Sequence, residues 1–188
     1  MEKILVTGAL GFVGTQVVEC LLAQGKTVVA YDWRVAHERP GSRKGVTFVQ
    51  GDVRDRSAVE EVLSEVTGVV HLAAQVSVAE SVHNPHETFL HNVAGTEAVF
   101  EAVRSANIAR IVYASSAAVY GDSDKTPKEE TDALAPISPY AASKEIDERI
   151  AAVYAGAYCV SSCGLVCFNG YGRGENAGHP DASRLARW

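Results

Sequence analysis

The chain has 188 residues, 47% hydrophobic and 21% charged, which is the composition of a globular protein and not of a disordered one. Such a length supports one domain burying about 70% of its unfolded surface and leaves little room for a second. The net charge of −6, without a cluster of Lys and Arg, disfavours nucleic acid as a partner, and no apolar run approaches the ~20 residues of a membrane helix.

Short apolar runs alternate with helix-period segments. Lys3–Thr7 reads as a strand ended by Gly8, not as a secretory signal. Thr15–Gln24 sets Val17, Val18, Leu21 and Leu22 on one helical face and stops at Gly25. Strands are predicted at Thr27–Tyr31 and Val46–Gln50, a helix at Ser57–Val66 and a fourth strand at Gly68–Ala73. A long helix over His86–Ala106 has Phe89, Val93, Val99, Phe100 and Val103 on its apolar side. Arg110–Ser115 is a fifth strand and Gly121–Pro136 a polar loop. Pro139–Tyr154 is a helix with Ile146, Ile150 and Val153 spaced for burial, and Tyr158–Phe168 is a sixth strand. Residues 170–188 show no clear period. Strand–helix alternation with nearly all-apolar strands predicts an α/β fold: a doubly wound parallel sheet of Rossmann type, order 3-2-1-4-5-6, covered on both faces.

Four cysteines, Cys20, Cys159, Cys163 and Cys167, lack the second pair that a metal site requires and read as small buried hydrophobes. Reduced thiols without an export signal fit the cytoplasm. His71 reads as a satisfied core residue inside a strand, and His83, His86 and His91 match no zinc spacing; no metal is expected.

Three groups of residues carry chemistry. Gly8-Ala9-Leu10-Gly11-Phe12-Val13-Gly14 follows a strand and opens a helix. Gly8 permits the tight turn, Gly11 the approach of a pyrophosphate, and Gly14 close packing of helix on strand, with the helix N-terminus facing the phosphates. Asp32 ends the second strand eighteen residues past Gly14, near the ~20 expected for the acid that binds the adenosine ribose. A carboxylate there repels a 2′-phosphate, which favours NAD over NADP, and nearby Arg34 weakens that preference slightly. Asp52 either accepts from the adenine amino group or caps a helix or turn; the residues leave both open. Finally, Tyr140-Ala141-Ala142-Ser143-Lys144 places tyrosine and lysine on one helix face, where an ammonium favours the phenolate and makes a usable general base. Ser115 and Ser116 stand at a strand end, where open α/β sheets bind ligands.

With these segments the chain resembles the extended short-chain dehydrogenase/reductase superfamily, and within it the NAD-dependent epimerase/dehydratases of the UDP-glucose 4-epimerase type. Further matching segments are Gly51-Asp52-Val53-Arg54-Asp55, His71 to Val78, Asn92-Val93-Ala94-Gly95-Thr96, Ser115 to Gly121, and Phe168-Asn169-Gly170-Tyr171-Gly172. The resemblance implies NAD as cofactor, held by Gly8, Gly11, Phe12, Val13, Gly14, Asp32, Asp52, Val53, Leu72, Ala73, Ala74 and Asn92 together with Tyr140 and Lys144. It implies Ser116, Tyr140 and Lys144 as the catalytic set, and Ser77, Ser116 and Asn169 as contacts to a nucleotide-sugar substrate, a UDP-sugar. Tyr140 would take the proton of the sugar 4-hydroxyl, Lys144 would hold the nicotinamide ribose, and Ser116 would hydrogen-bond the reacting oxygen. Dehydratases of the superfamily carry an Asp-Glu pair where this chain has Ala117 and Ala118, which disfavours elimination. The helices His86–Ala106 and Pro139–Tyr154 resemble those that form a four-helix bundle in the family's homodimers.

The family's chains continue into a longer C-terminal region, so the expected organisation is an NAD-binding domain over 1–172 with the catalytic residues, a short tail over 173–188, and little or no substrate subdomain. Val166-Cys167 also departs from the Arg-Tyr usual before Phe-Asn. Three readings follow: a UDP-hexose 4-epimerase working through a 4-keto intermediate, a non-catalytic NAD-binding module or truncated family member, and an NAD-dependent oxidoreductase on a smaller substrate.

Overall fold

A computed structural model describes residues 2–34 and 44–172; the expected tail over 173–188 lies outside the described residues. Strands β1 (Lys3–Thr7), β2 (Thr27–Asp32), β3 (Val46–Gln50), β4 (Gly68–His71), β5 (Arg110–Ser116) and β6 (Ser161–Cys167) form one parallel sheet in the order β3-β2-β1-β4-β5-β6. All pairings are parallel, so the loops that leave the strands gather at one edge, and the order reverses between β1 and β4. That reversal is where doubly wound sheets hold ligands.

Alternation along the strands sorts side chains to two cores. Leu5 pairs with Val29, and both join Val69, Ile111, Phe100 and Val103 under helices α2 (Arg56–Val62), α5 (Gly95–Ser105) and α6 (Pro139–Tyr158). Val6 pairs with Ala30, and these close on Val18 of helix α1 (Phe12–Ala23) with Val28 and Val46. A fully buried side chain of this size contributes about 1.5–3 kcal/mol, so the two faces of β1 and β2 anchor the sheet.

Four expectations change. The single helix predicted over His86–Ala106 is α4 (Pro85–Phe89), a π-helical turn (Leu90–Ala94) and α5, preceded by the unpredicted α3 (Val78–His83). The π turn carries Asn92, which is wholly buried, and such wide turns are often put to specific use. On α6 the buried face holds Tyr140, Ser143, Lys144, Asp147, Ala151 and Tyr154, whereas Ile146 and Val153 are exposed and Ile150 is only partly buried. Ile146 and Val153 therefore lie on the outward side of the helix, while Ile150 packs against the core. All four cysteines are exposed and unpaired, not buried. Cys159 ends α6 in the left-handed conformation, while Cys163 and Cys167 lie on β6, an edge strand with one neighbour among the described residues. There Leu165 is 51% and Phe168 64% exposed, so the sheet is not covered on both faces at this edge. Among the described residues no helix is long and apolar enough to cross a membrane.

Candidate active site

The turn after β1 is shaped by glycine. Gly8 adopts φ 67°, and a Cβ there would lie 2.8 Å from the backbone of Leu72 and Ala73. A Cβ on Gly14 would lie 2.1 Å from the Gly8 carbonyl oxygen, closer than atoms can approach. The start of α1 is thus packed onto its own turn with no room for a side chain. Gly11 precedes the helix without any side-chain cap, so the amides of the first turn are left for an anion, with Phe12 half-buried and Val13 exposed beside them. This cradle has the shape and polarity a dinucleotide pyrophosphate requires.

Asp32 is buried at the end of β2 with both carboxylate oxygens engaged. The Leu10 amide donates to Oδ2 at 2.9 Å, and the Arg34 amide to Oδ1 at 3.0 Å. The Arg34 side chain forks onto the same group, Nε to Oδ1 and Nη2 to Oδ2, each at 2.9 Å. Burial pushes the Asp32 pKa up, but the bonds from Arg34 and Leu10 outweigh it and hold the carboxyl below the usual range. After the neighbouring strand β3 the pattern repeats: Arg54 donates its amide to Asp52 Oδ1 at 2.9 Å and Nη2 to Oδ2 at 2.6 Å, lowering the Asp52 pKa. Asp52 here closes a turn, the second of its two sequence readings, and the side chain that caps α2 is Asp55, accepting from the Ala58 amide at 3.1 Å. Val53 is buried against Gly95.

Leu72, Ala73 and Ala74 follow β4, half-buried, and Thr7 Oγ1 accepts from the Leu72 and Ala73 amides at 3.2 and 3.3 Å. The same hydroxyl meets His71 Nδ1 at 2.7 Å, and His71 Nε2 meets Thr96 Oγ1 at 3.1 Å, so His71 is a satisfied core residue. Burial, aided by the charge of Lys144, pushes the His71 pKa down to about 3. The folded state therefore refuses a proton that the unfolded chain accepts below pH 6.5, and stability is lost as pH falls from that value toward 3. We expect His71 to remove about 1.5 kcal/mol between pH 6.5 and 5, read by urea unfolding at both values, and His71→Gln to lose that share of the acid sensitivity. An unchanged slope in His71→Gln would show that other groups carry it.

Ser116 ends β5 and caps the 3₁₀ turn Ala117–Tyr120 by accepting from the Ala118 amide at 3.2 Å. Ser138 caps α6 through the Ala141 amide at 3.1 Å, with Pro139 in the first turn, and so sets where Tyr140 and Lys144 fall. Ser116, Tyr140 and Asn169 line one cleft of about 490 Å³, with Ala117 and Ala118 beside them. Ser77 caps α3, accepting from the Glu80 amide at 3.3 Å, between the cleft residues Val76 and Val78. Asn92 is not open to the cleft: its amide donates to the Gln75 carbonyl at 3.0 Å and to Ser143 Oγ at 2.9 Å, and its oxygen accepts from the Gln75 amide at 2.7 Å. It braces the loop after β4 against α6.

Two acidic residues of this site escape the sequence reading. Lys144 is buried, and its Nζ donates to Asp147 Oδ2 at 3.0 Å. Burial pushes the Asp147 pKa up against the pull of Lys144 and of Thr96. Glu148, the next residue, accepts from Ser115 Oγ. The spacing Lys-x-x-Asp puts Asp147 on the face of Lys144.

Residues 4–188 match the family model described as the NAD dependent epimerase/dehydratase family. The chain belongs to this family. A UDP-glucose 4-epimerase of Streptomyces lividans is 35% identical over 188 residues, covering 97% of this chain and 57% of that protein. The UDP-glucose 4-epimerase of Thermus thermophilus, solved in complex with NAD, has a TM-score of 0.88 at 37% identity, over 95% of this chain and 59% of the other. A UDP-N-acetylglucosamine 4-epimerase of Methanobrevibacter ruminantium, solved with UDP-N-acetylmuramic acid, has a TM-score of 0.92 at 28% identity, over 98% and 60%. The chain thus spans less than two thirds of the length of these epimerases. The NAD dependence of the family agrees with the glycine cradle and with the carboxylate at the end of β2.

Proposed function

We propose that this protein binds NAD and epimerises a nucleotide sugar, a UDP-hexose, at C4. The observation that carries the reading is the convergence of Ser116, Tyr140 and Asn169 on one cleft, with Lys144 buried at the foot of the same helix. In this reading residues 1–172 are the NAD-binding domain. The amides of Phe12 and Val13 take the pyrophosphate beside Gly8, Gly11 and Gly14, Asp32 takes the adenosine ribose, and Leu72, Ala73 and Ala74 form the wall. Asp52, Val53 and Asn92 support that site from behind.

Tyr140 removes the proton of the sugar 4-hydroxyl, Ser116 donates a hydrogen bond to the reacting oxygen, and Lys144 holds the nicotinamide ribose. When bound, NAD would supply the redox chemistry, reversible hydride exchange at the sugar C4. Asn169 and Ser77 hold the substrate. Ala117 and Ala118 supply no acid or base beside the sugar, which supports epimerisation over dehydration. Exposed Ile146 and Val153 on α6 support a homodimer through a four-helix bundle of that helix and the helical stretch over 86–106, which a monomeric mass by light scattering would exclude. Free cysteines suit the cytoplasm.

The test is conversion of UDP-galactose to UDP-glucose by the purified chain with NAD. Turnover without net NADH is expected. NAD binding without turnover would support a cofactor-binding module, and net NADH would support an oxidoreductase on another substrate.

A further inference from the structure

The proposed reaction makes no use of the carboxylate of Asp147, yet the fold buries it beside Lys144 on α6, with Oδ2 3.0 Å from Nζ. An apolar pair could fill the same space without taking two charges out of water. What sets this carboxylate apart is the group on its other side. The Thr96 hydroxyl, in the first turn of α5, faces it. Thr96 Oγ1 is also 3.1 Å from His71 Nε2, and His71 Nδ1 is 2.7 Å from Thr7 Oγ1. Thr7 Oγ1 in turn accepts from the amides of Leu72 and Ala73, in the loop that walls the cofactor site. A buried polar chain therefore runs from that loop through β1, β4 and α5 to the lysine on α6.

Counting hydrogens gives the chain a direction. A hydroxyl has one hydrogen and two lone pairs. Thr7 spends both lone pairs on amides, so its hydrogen goes to His71 Nδ1. The ring hydrogen is then on Nε2 and goes to Thr96 Oγ1, which leaves the Thr96 hydrogen for Asp147. Asp147 is the acceptor on which the chain ends, and Lys144 is the donor from the opposite side. An ammonium has three hydrogens. Asp147 takes one, and among the described residues two are left, the number that the two hydroxyls of a ribose can accept. Glu148, the neighbouring acid, is turned to Ser115 instead.

We infer that Asp147 is a positioning residue: its carboxylate, tied through Thr96, His71 and Thr7 to the loop after β4, holds the Lys144 ammonium in place relative to the cofactor wall and keeps its other two hydrogens for the nicotinamide ribose. The inference rests on the NAD-binding reading above and adds to it the group that aims the lysine.

Calorimetric titration of the full chain with NAD⁺ tests this without turnover. Asp147→Asn keeps the shape of the side chain and removes the charge that holds the ammonium. It is expected to weaken NAD⁺ binding about tenfold, the worth of a hydrogen bond from a charged group. In the Lys144→Met background no ammonium remains to be aimed, and there the same substitution is expected to change NAD⁺ affinity by less than about threefold. A carboxylate that served the fold alone would cost as much in either background. If the asparagine variant fails to fold, Thr96→Val decides. It leaves the ion pair intact and removes the hydroxyl between His71 and Asp147, and it is expected to weaken NAD⁺ about threefold, again only while Lys144 is present. No loss of NAD⁺ affinity, or an equal loss with and without Lys144, would overturn the inference and leave the NAD reading standing. Failure of the unaltered chain to bind NAD⁺ would overturn both.

Discussion

Tyr140→Phe is expected to lower UDP-hexose epimerisation by about 10²–10⁴-fold while NAD binding changes by no more than a few-fold. The substitution removes one oxygen from a ring that lines the cleft and is otherwise 9% exposed, so the packing of α6 is kept. The backbone carbonyl of Tyr140 still accepts from Ser143 Oγ at 2.7 Å, and the cap at Ser138 is untouched. What is lost is the only phenol among the described residues lining that cleft with Ser116 and Asn169, and with it the proposed base for the 4-hydroxyl. The measurement is the steady-state rate from UDP-galactose together with a melting curve and an NAD titration. A variant that keeps full turnover removes Tyr140 as the base. One that loses NAD as well places the tyrosine in binding instead of proton transfer.

Asp147→Leu is expected to destabilise the fold by about 3–5 kcal/mol in urea unfolding, the cost of stripping a buried charge of its partner. The pair is deeply enclosed, with side-chain exposures of 5% for Lys144 and 1% for Asp147, so water cannot replace the carboxylate. The leucine leaves the buried ammonium without the anion that stands 3.0 Å from it. Lys144→Met combined with Asp147→Leu is expected to recover most of the loss, because replacing both members of a buried pair with apolar groups is often nearly neutral. A single variant within about 1 kcal/mol of the unaltered protein would show that Lys144 finds another partner or sheds its proton.

Much of the site was legible because it is local. Gly8, Gly11 and Gly14 constrain one turn and the helix that follows it, and steric exclusion at Gly14 concerns atoms of Gly8 and Ala9, a few residues away. Tyr140 and Lys144 share a helix face by spacing alone. The errors arose where burial depends on what lies opposite. Ile146, Ile150 and Val153 have helical periodicity, but periodicity names a face without saying which side of it meets the sheet. Cys163 and Cys167 are exposed because β6 has one neighbour among the described residues, and an edge is set by the order of strands, not by the composition of any one of them.

By itself the sequence determined the alternation of strands and helices, the parallel order of the sheet and the glycine turn that suits a dinucleotide. These follow from side-chain period and backbone sterics over a few residues. Only the tertiary structure decided which polar groups are spoken for. Asn92 reaches Ser143 across 51 positions, Ser115 reaches Glu148 across 33, and His71 reaches Thr7 across 64. Asp52 proved to be held by Arg54 in a turn, and Asp32 to be covered by Arg34. A hydrogen bond or a buried charge takes its energy from partners and from the exclusion of water, and both are settled when distant segments pack together.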